Sequence, residues 1–445
     1  MRAPSPACAS NRAIPVAVPV NRRRFLVSAA ALGAAPWVKA ADLLPPAKGR
    51  RVVIVGGGWG GLSAARHLRD AAPELEVVVV EPQPVFWSHA LSNRWLAGLI
   101  DGKLLTHDRG AAARAFGYSL VQAEVTVIDR DRRRVHTDRG ALAYDWLILA
   151  TGIRHHYGAW FGDDRAAADH TRRHFPAAFT GRDETLALKA KLDSFKGGDL
   201  VMTVPPMPYR CPPAPYERAA MIGWLLKTRG VKGRLHVLDP NPITLGFDKI
   251  FRHDFADQIS YLPNAAVKAV DPYGKTISTE FDTIPFDDAI LLPPQQAGDL
   301  VWQAGLEARG GDGKPTGWAA QDPVHLHAVG DERVFLVGDL IDKASPLFGH
   351  YPKTGHLAAR LGRIAALEIA ARSRGREAPR ELPEGVCYVI AKPEPREMMR
   401  VETHYRFRGD GEIQQTVKQT YDAQPRGEDE AWARGMFGEF LAFSG

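Results

Sequence analysis

Apolar positions follow two rhythms along this chain. Residues 51–55, Arg51-Val52-Val53-Ile54-Val55, form an unbroken apolar run after the first position, the signature of a strand covered on both faces. The run meets Gly56-Gly57-Gly58-Trp59-Gly60-Gly61, and then Leu62, Ala65 and Leu68 recur at helical spacing. A second apolar run, Val77 to Val80, stops at Glu81. The strand rhythm returns at residues 145–149, 199–204, 234–239 and 333–337. Helices are predicted over residues 216–227 and from Thr354 to about Arg372, where Arg360, Arg363 and Glu368 interrupt the apolar stripe. The charged run 129–134 between strand-like segments predicts a solvated hairpin turn. Strands alternating with helices predict an α/β fold on parallel sheets.

The first turn carries chemistry. Gly56-x-Gly58-x-x-Gly61 lies between a strand and a helix, and Glu81 stands 20 residues beyond Gly61 at the end of the next strand. Such glycines permit a tight turn and let a pyrophosphate reach backbone N–H groups at the helix start, while the acid accepts from a ribose hydroxyl. The pattern predicts dinucleotide binding by Gly56, Gly58, Gly61 and Glu81. A second strand–turn–helix–strand unit spans residues 199–239, but its turn reads Pro205-Pro206-Met207-Pro208-Tyr209-Arg210-Cys211-Pro212-Pro213. Proline has no N–H to offer a pyrophosphate, so this unit is expected to keep the fold and to have lost its nucleotide.

Composition narrows the classes. The chain has 57 Lys+Arg against 51 Asp+Glu over 445 residues. Arg2, Arg12, Arg22, Arg23, Arg24 and Lys39 fall in the first 40 residues, which hold no acid, so the remainder balances at 51 against 51. A neutral body gives no electrostatic footprint for nucleic acid. Asn21-Arg22-Arg23-Arg24-Phe25-Leu26, the weakly apolar run to Trp37 and the small residues around Val38-Lys39-Ala40 resemble a bacterial twin-arginine signal peptide. The apolar run is shorter than the ~20 residues a membrane span needs. Export of a folded, cofactor-loaded protein to the periplasm is therefore expected. Cys8 leaves with the signal, and Cys211 and Cys387 remain, 176 positions apart and without metal-site spacing. An oxidising compartment permits a disulfide, but sequence alone does not show that the sulfurs meet. No metal site is predicted: His170 and His174, at i and i+4, lack a carboxylate or cysteine partner, and His155-His156 carry no signal.

Two further strand ends, Ala150-Thr151-Gly152 and Gly338-Asp339, resemble motifs of the two-dinucleotide-binding-domain flavoproteins, in which the Gly-Asp acid bonds the ribityl chain of FAD. The helix beginning near Thr354 would then aim its positive end at the flavin. A more specific likeness lies in residues 208–219, Pro-Tyr-Arg-Cys-Pro-Pro-Ala-Pro-Tyr-Glu-Arg-Ala, in Leu91-Ser92-Asn93, in Leu292-Pro293-Pro294-Gln295 and in Val386-Cys387-Tyr388-Val389-Ile390. These resemble the flavoprotein subunit of flavocytochrome c sulfide dehydrogenase, in order from about Arg51 to Ile390; sulfide:quinone oxidoreductases are relatives with the same fold. The resemblance implies a redox disulfide between Cys211 and Cys387 beside the flavin. A disulfide sulfur is a natural electrophile for hydrosulfide. It also implies Glu217 as proton handler and Asn93, Thr151, Gly152, Gly338 and Asp339 as cofactor contacts. By position alone, Arg210 beside Cys211 is expected to favour a thiolate, and Lys353, just ahead of the flavin-facing helix, to stabilise negative charge near the flavin.

Two positions depart from that family. His89 stands where its members carry a cysteine bonded to the flavin, so FAD is expected to be non-covalent with His89 packed near the ring. The apolar, aromatic tail 432–443 differs as well, and could cover the flavin, dock a cytochrome or touch a membrane. The expected architecture is α/β: tandem Rossmann-like domains of the disulfide-reductase type, with a FAD domain in two segments (41–160 and 301–375). A degenerate NAD-like domain (161–300) and a C-terminal α+β interface domain (376–445) complete it. The expected activity is periplasmic sulfide oxidation with electrons passed to a c-type cytochrome partner, since the chain has no Cys-x-x-Cys-His of its own. The alternatives are a sulfide:quinone oxidoreductase or a flavin-bearing accessory protein without turnover.

Overall fold

The computed structural model describes residues 42–443 with the exception of residue 243. The export signal read at residues 1–40 lies outside the described residues. The chain begins with β1 (Arg51–Val55), α1 (Trp59–Ala71), β2 (Glu76–Val80), a short α2 (Ser92–Leu96), β3 (Ser119–Val121) and β4 (Trp146–Leu149). Strand β5 (Ile153–His155) leads to a second unit of α3 (Arg182–Ser194), β6 (Gly198–Thr203), α4 (Ala214–Thr228), β7 (Gly233–Asp239), β8 (Ile259–Pro263) and β9 (Asp288–Ile290). The chain returns through β10 (Gln295–Ala297), β11 (His327–Ala328), β12 (Asp331–Leu336) and α5 (Gly355–Ser373). It closes with β13 (Gly385–Lys392), β14 (Glu397–Phe407), β15 (Ile413–Asp422) and α6 (Glu428–Phe440).

The first sheet has the order β11–β12–β4–β1–β2–β3, and only β11 runs antiparallel. Every residue of β1 and β4 is buried, which explains their unbroken apolar runs: helices cover both faces. The second sheet, β8–β7–β6–β9, is fully parallel. Strands β5 and β10 pair antiparallel, so the chain leaves and re-enters the first unit side by side. The fold is thus two Rossmann-like units, one inserted in the other, with an antiparallel sheet β13–β14–β15 and α6 at the end.

Small residues bring α1 and α5 together at backbone distance. A Cβ on Gly362 would lie 2.2 Å from the Gly60 carbonyl oxygen, and one on Gly60 would lie 2.7 Å from Val337. The tail folds inward. Phe437 and Phe440 of α6 are fully buried, with ring centroids 5.7 and 5.4 Å from Trp59, and Trp432 stacks on Trp59 at 6.3 Å. A buried ion pair, Arg94 to Asp429 at 2.6 Å, ties α6 to α2. Of the three roles open to the tail, covering the site is the one this packing serves.

The second unit closes the place where a nucleotide would lie. Asp239, at the end of β7 and fully buried, accepts from the hydroxyls of Tyr216 and Tyr261, both at 2.7 Å, and from the Asn241 main-chain and side-chain N–H groups. Tyr209 is 1% exposed and donates to the Pro212 carbonyl. The acid is satisfied inside the protein, and Tyr209 fills the turn from within.

Candidate functional site

A cavity of about 1480 Å3 runs between the glycine turn, the cysteine turn and β13. It exceeds the roughly 300–1,000 Å3 of ordinary small-molecule sites. Gly56, Gly58, Glu81, His89, Asn93, Thr151, Gly152, Cys211, Glu217, Gly338, Asp339 and Cys387 all line it. Gly61 lies beneath this wall: a Cβ there would fall 1.9 Å from the Gly56 carbonyl oxygen, so the turn closes only around glycine.

The chain's residues fit FAD. Gly58 caps α1 without a side-chain hydrogen bond, and a Cβ on it would meet nothing within 4 Å, so the helix N-terminus opens on the cavity as a phosphate requires. The Glu81 carboxylate is pinned at the turn, accepting from Gly57 N at 2.8 Å and Gln83 N at 3.0 Å. On the wall, Thr151 Oγ1, His89 Nδ1 and Trp432 Nε1 have no hydrogen-bond partner within the chain, as expected of groups that meet a polar ligand. The N-terminus of α5 also faces the cavity through Thr354, Gly355 and His356.

Two distant elements bring the cysteines together. Cys211 follows the proline turn before α4, in the left-handed region at φ 50°, and its N–H donates to the Lys353 carbonyl at 2.7 Å. Cys387 comes from β13. Both are free thiols here, and the hydrogen-bonding Cys387 thiol, followed by burial and the charges of Glu217 and Asp339, pushes the Cys211 pKa well up. Burial likewise raises Glu217, against the pull of the Ile390 N–H and the Asn93 amide, which bind its two oxygens at 2.8 and 2.7 Å. A carboxyl held deep with a raised pKa suits proton transfer.

Three expectations require correction. Arg210 does not favour a Cys211 thiolate: its guanidinium is spent on Asp339 at 2.7 Å and the Phe179 carbonyl at 2.7 Å. Lys353 does not reach the cavity as a cofactor contact. Its ammonium turns to the carbonyls of Asp339 and Ile341, both at 2.8 Å, and lies 3.7 Å from the centre of the Trp318 ring. Burial, against the attraction of Asp339 and Asp342, lowers its pKa to about 7. Asn93 lines the cavity, but its amide is committed to Glu217, the Ala214 carbonyl and Arg218, so it positions Glu217 rather than offering a free group to the cofactor. His89 lies deep in the wall; burial, then the nearby Arg210, lowers its pKa to about 3, so the imidazole is neutral.

Sequence reasoning missed two groups. Arg218, 2% exposed, clamps residues 177 and 178 by their carbonyls and faces Glu217 and Glu184. His155 and Glu184 face one another on the wall, with His155 Nε2 3.7 Å from the carboxylate. Nothing local announces that pair, since 28 residues of other structure separate them.

Comparison with known proteins agrees with the arrangement. Residues 185–293 match the family model described as sulfide dehydrogenase [flavocytochrome c] flavoprotein chain, central, and residues 50–173 match that of pyridine nucleotide-disulphide oxidoreductase. The sulfide-quinone reductase of Aquifex aeolicus is 23% identical over 338 residues, covering 72% of this chain and 76% of that protein. A type II NADH:quinone oxidoreductase of Staphylococcus aureus is 27% identical over only 106 residues, 26% of its length. Among solved structures, the sulfide:quinone oxidoreductase of Aquifex aeolicus superposes with a TM-score of 0.68 at 19% identity, covering 89% of this chain and 93% of that one. A NAD-dependent persulfide reductase from A. fulgidus gives 0.60 at 15%, covering 88% and 77%. At these identities the structural likeness speaks to the fold.

Proposed function

We propose that this chain, a flavoprotein related to the flavocytochrome c sulfide dehydrogenases and the sulfide-quinone reductases, oxidises sulfide in the periplasm and passes the electrons to a c-type cytochrome. The observation that carries the reading is the meeting of Cys211 and Cys387 in the cavity of the glycine turn, brought there by two elements that no local motif links. Gly56, Gly58, Glu81, Thr151, Gly152, Gly338 and Asp339 would hold FAD, without a covalent bond to His89. Bound FAD supplies a two-electron acceptor that can release electrons singly.

The residues divide the work. In the oxidised protein, hydrosulfide attacks one sulfur of a Cys211–Cys387 disulfide. One S–S bond forms as the other breaks, and the departing thiolate carries the electron pair. Glu217, held by Asn93 and the Ile390 N–H, receives or returns a proton beside the sulfurs. The wall aromatics Trp59 and Trp432 limit water at the site.

A quinone acceptor is the second reading, favoured by the likeness to the Aquifex protein. One observation supports a water-soluble acceptor instead: the apolar face of α6 is consumed by the core. The twin-arginine pattern supports export.

The test is anaerobic addition of sulfide to the oxidised, flavin-loaded protein. Rapid bleaching of the flavin absorption, abolished in Cys387→Ala with flavin retained, is the expected result. No bleaching in a loaded wild-type protein would sink direct sulfide oxidation. Cytochrome c then reoxidises the protein and a short-chain quinone does not, if the acceptor is as proposed.

A further inference from the structure

Helix α4 carries Glu217 and Arg218 in succession, and one residue of α2 joins their side chains. The Asn93 amide donates from Nδ2 to Glu217 Oε2 at 2.7 Å and to the Ala214 carbonyl at 3.0 Å. Its Oδ1 accepts from Arg218 Nε at 3.0 Å. The two outer guanidinium nitrogens hold the Ala177 and Ala178 carbonyls at 2.6 and 2.9 Å, and the group lies 4.7 Å over the Phe179 ring. Arg218 is 2% exposed, and these three partners are neutral oxygens. A cation buried on neutral partners carries a desolvation cost that an apolar side chain would avoid.

The polarity of this chain of bonds is forced. A guanidinium only donates and a carbonyl oxygen only accepts. Arg218 therefore keeps the amide oxygen on its side, and the Ala214 carbonyl keeps the NH2 group on the other. For that reason Glu217 Oε2 meets a donor. Its Oε1 meets another, the Ile390 N–H at 2.8 Å, a main-chain group that cannot reverse. A carboxyl met by a donor at each oxygen is favoured as the anion. Burial opposes the donors and raises the pKa, which makes the anion a stronger base. We propose that Arg218 is a positioning residue that fixes the Asn93 amide and, through it, holds Glu217 as the proton acceptor of the site.

The other groups packed around Glu217 do not supply this direction. From α2 and α6, Arg94 and Asp429 act on it in opposite senses and are paired with each other at 2.6 Å. At the cysteine turn, Cys211 feels the charge of Glu217. From β13 comes the Ile390 N–H, three residues along the strand from Cys387. Among the described residues, Asn93 is the one side chain hydrogen-bonded to the Glu217 carboxylate.

The role rests on the sulfide reading above. Once hydrosulfide has attacked the disulfide, one cysteine carries a hydropersulfide and the other a thiolate holding the electron pair. The S–H bond of the hydropersulfide then breaks, its electrons stay on sulfur, and the proton forms an O–H bond on Glu217.

The experiment titrates the flavin-loaded, oxidised protein without sulfide and reads the infrared carboxylic-acid band that Glu217→Gln removes. In Asn93→Leu the band persists to a pH about one unit higher, because the anion has lost a donor. Two substitutions then separate bond from charge at Arg218. Lysine keeps a charge near the Ala177 and Ala178 carbonyls but has a methylene where Arg218 has Nε. Glutamine drops the charge but sets an amide N–H at the Nε position. Arg218→Lys moves the band the same way as Asn93→Leu and adds nothing when combined with it; Arg218→Gln leaves the band in place. An unmoved band in Arg218→Lys, or one moved in Arg218→Gln as far as in Asn93→Leu, overturns the proposal. Should either variant fail to fold, the other decides by its own criterion. The titration contains no sulfide, so a flavin-loaded wild type that never bleaches brings down the sulfide reading and leaves the Arg218 relay to be judged by the band.

Discussion

The two Rossmann-like units of this chain start from one plan and end in opposite uses of the same turn. In the first, glycine keeps the β1–α1 turn open and the acid after β2 stands at a cavity. In the second, the β6–α4 turn is filled with proline and Tyr209, and the acid at the end of β7 is sealed by two tyrosines and an asparagine. The contrast teaches that the fold keeps a turn at the end of its first strand whatever the turn holds. One unit uses it to receive a phosphate, and the other to carry a cysteine at φ 50° to the partner delivered by β13.

The largest effect is expected from closing the first turn. Gly61→Ala puts a methyl 1.9 Å from the Gly56 carbonyl. The purified protein should lose its flavin, read as loss of visible absorption, and a variant with full flavin content would show that the turn is not the cofactor's anchor. Next comes the tie between the two turns. Arg210→Met strands Asp339 and the Phe179 carbonyl in a poorly solvated place and should cost about 3 kcal/mol in chemical denaturation, with weaker flavin retention.

Third is acid. His89 has its pKa lowered from 6.5 to about 3 in the folded chain, so between those values the unfolded chain binds the extra proton. Stability therefore falls as pH drops from about 6.5 towards 3, and His89→Asn should flatten that fall in pH-dependent unfolding. The smallest effect belongs to the sealed acid. Tyr216→Phe or Tyr261→Phe removes one donor from buried Asp239 and should cost about 1–2 kcal/mol, with no change in sulfide bleaching. A change in bleaching would mean that the second unit's crevice still serves the reaction.

What could be read beforehand follows the range of the interactions. The glycine turn, the α/β alternation and the proline-filled second turn are local patterns, and they lie in the structure within a residue or two of the predicted ends. Residues 129–134 form the expected hairpin turn between two antiparallel strands. The meeting of Cys211 with Cys387 was implied only by resemblance, because it depends on how β13 folds back against α4. Lys353 and Arg210 were misjudged for a related reason: a residue's neighbours in sequence do not say where a long side chain ends. Arg218 was invisible, since its guanidinium acquires meaning only from the amide that tertiary structure sets against it.

The seating of α6 against Trp59 bears on how the protein is made. Trp59 lies within the glycine turn, near the start of the described residues, yet the surface it packs on comes from the last element described. A nascent chain therefore carries its cofactor turn, without its cover, through nearly the whole of translation. Cofactor loading becomes a late event that reports on the finished chain, and a product cut short before α6 announces itself by an exposed aromatic cluster.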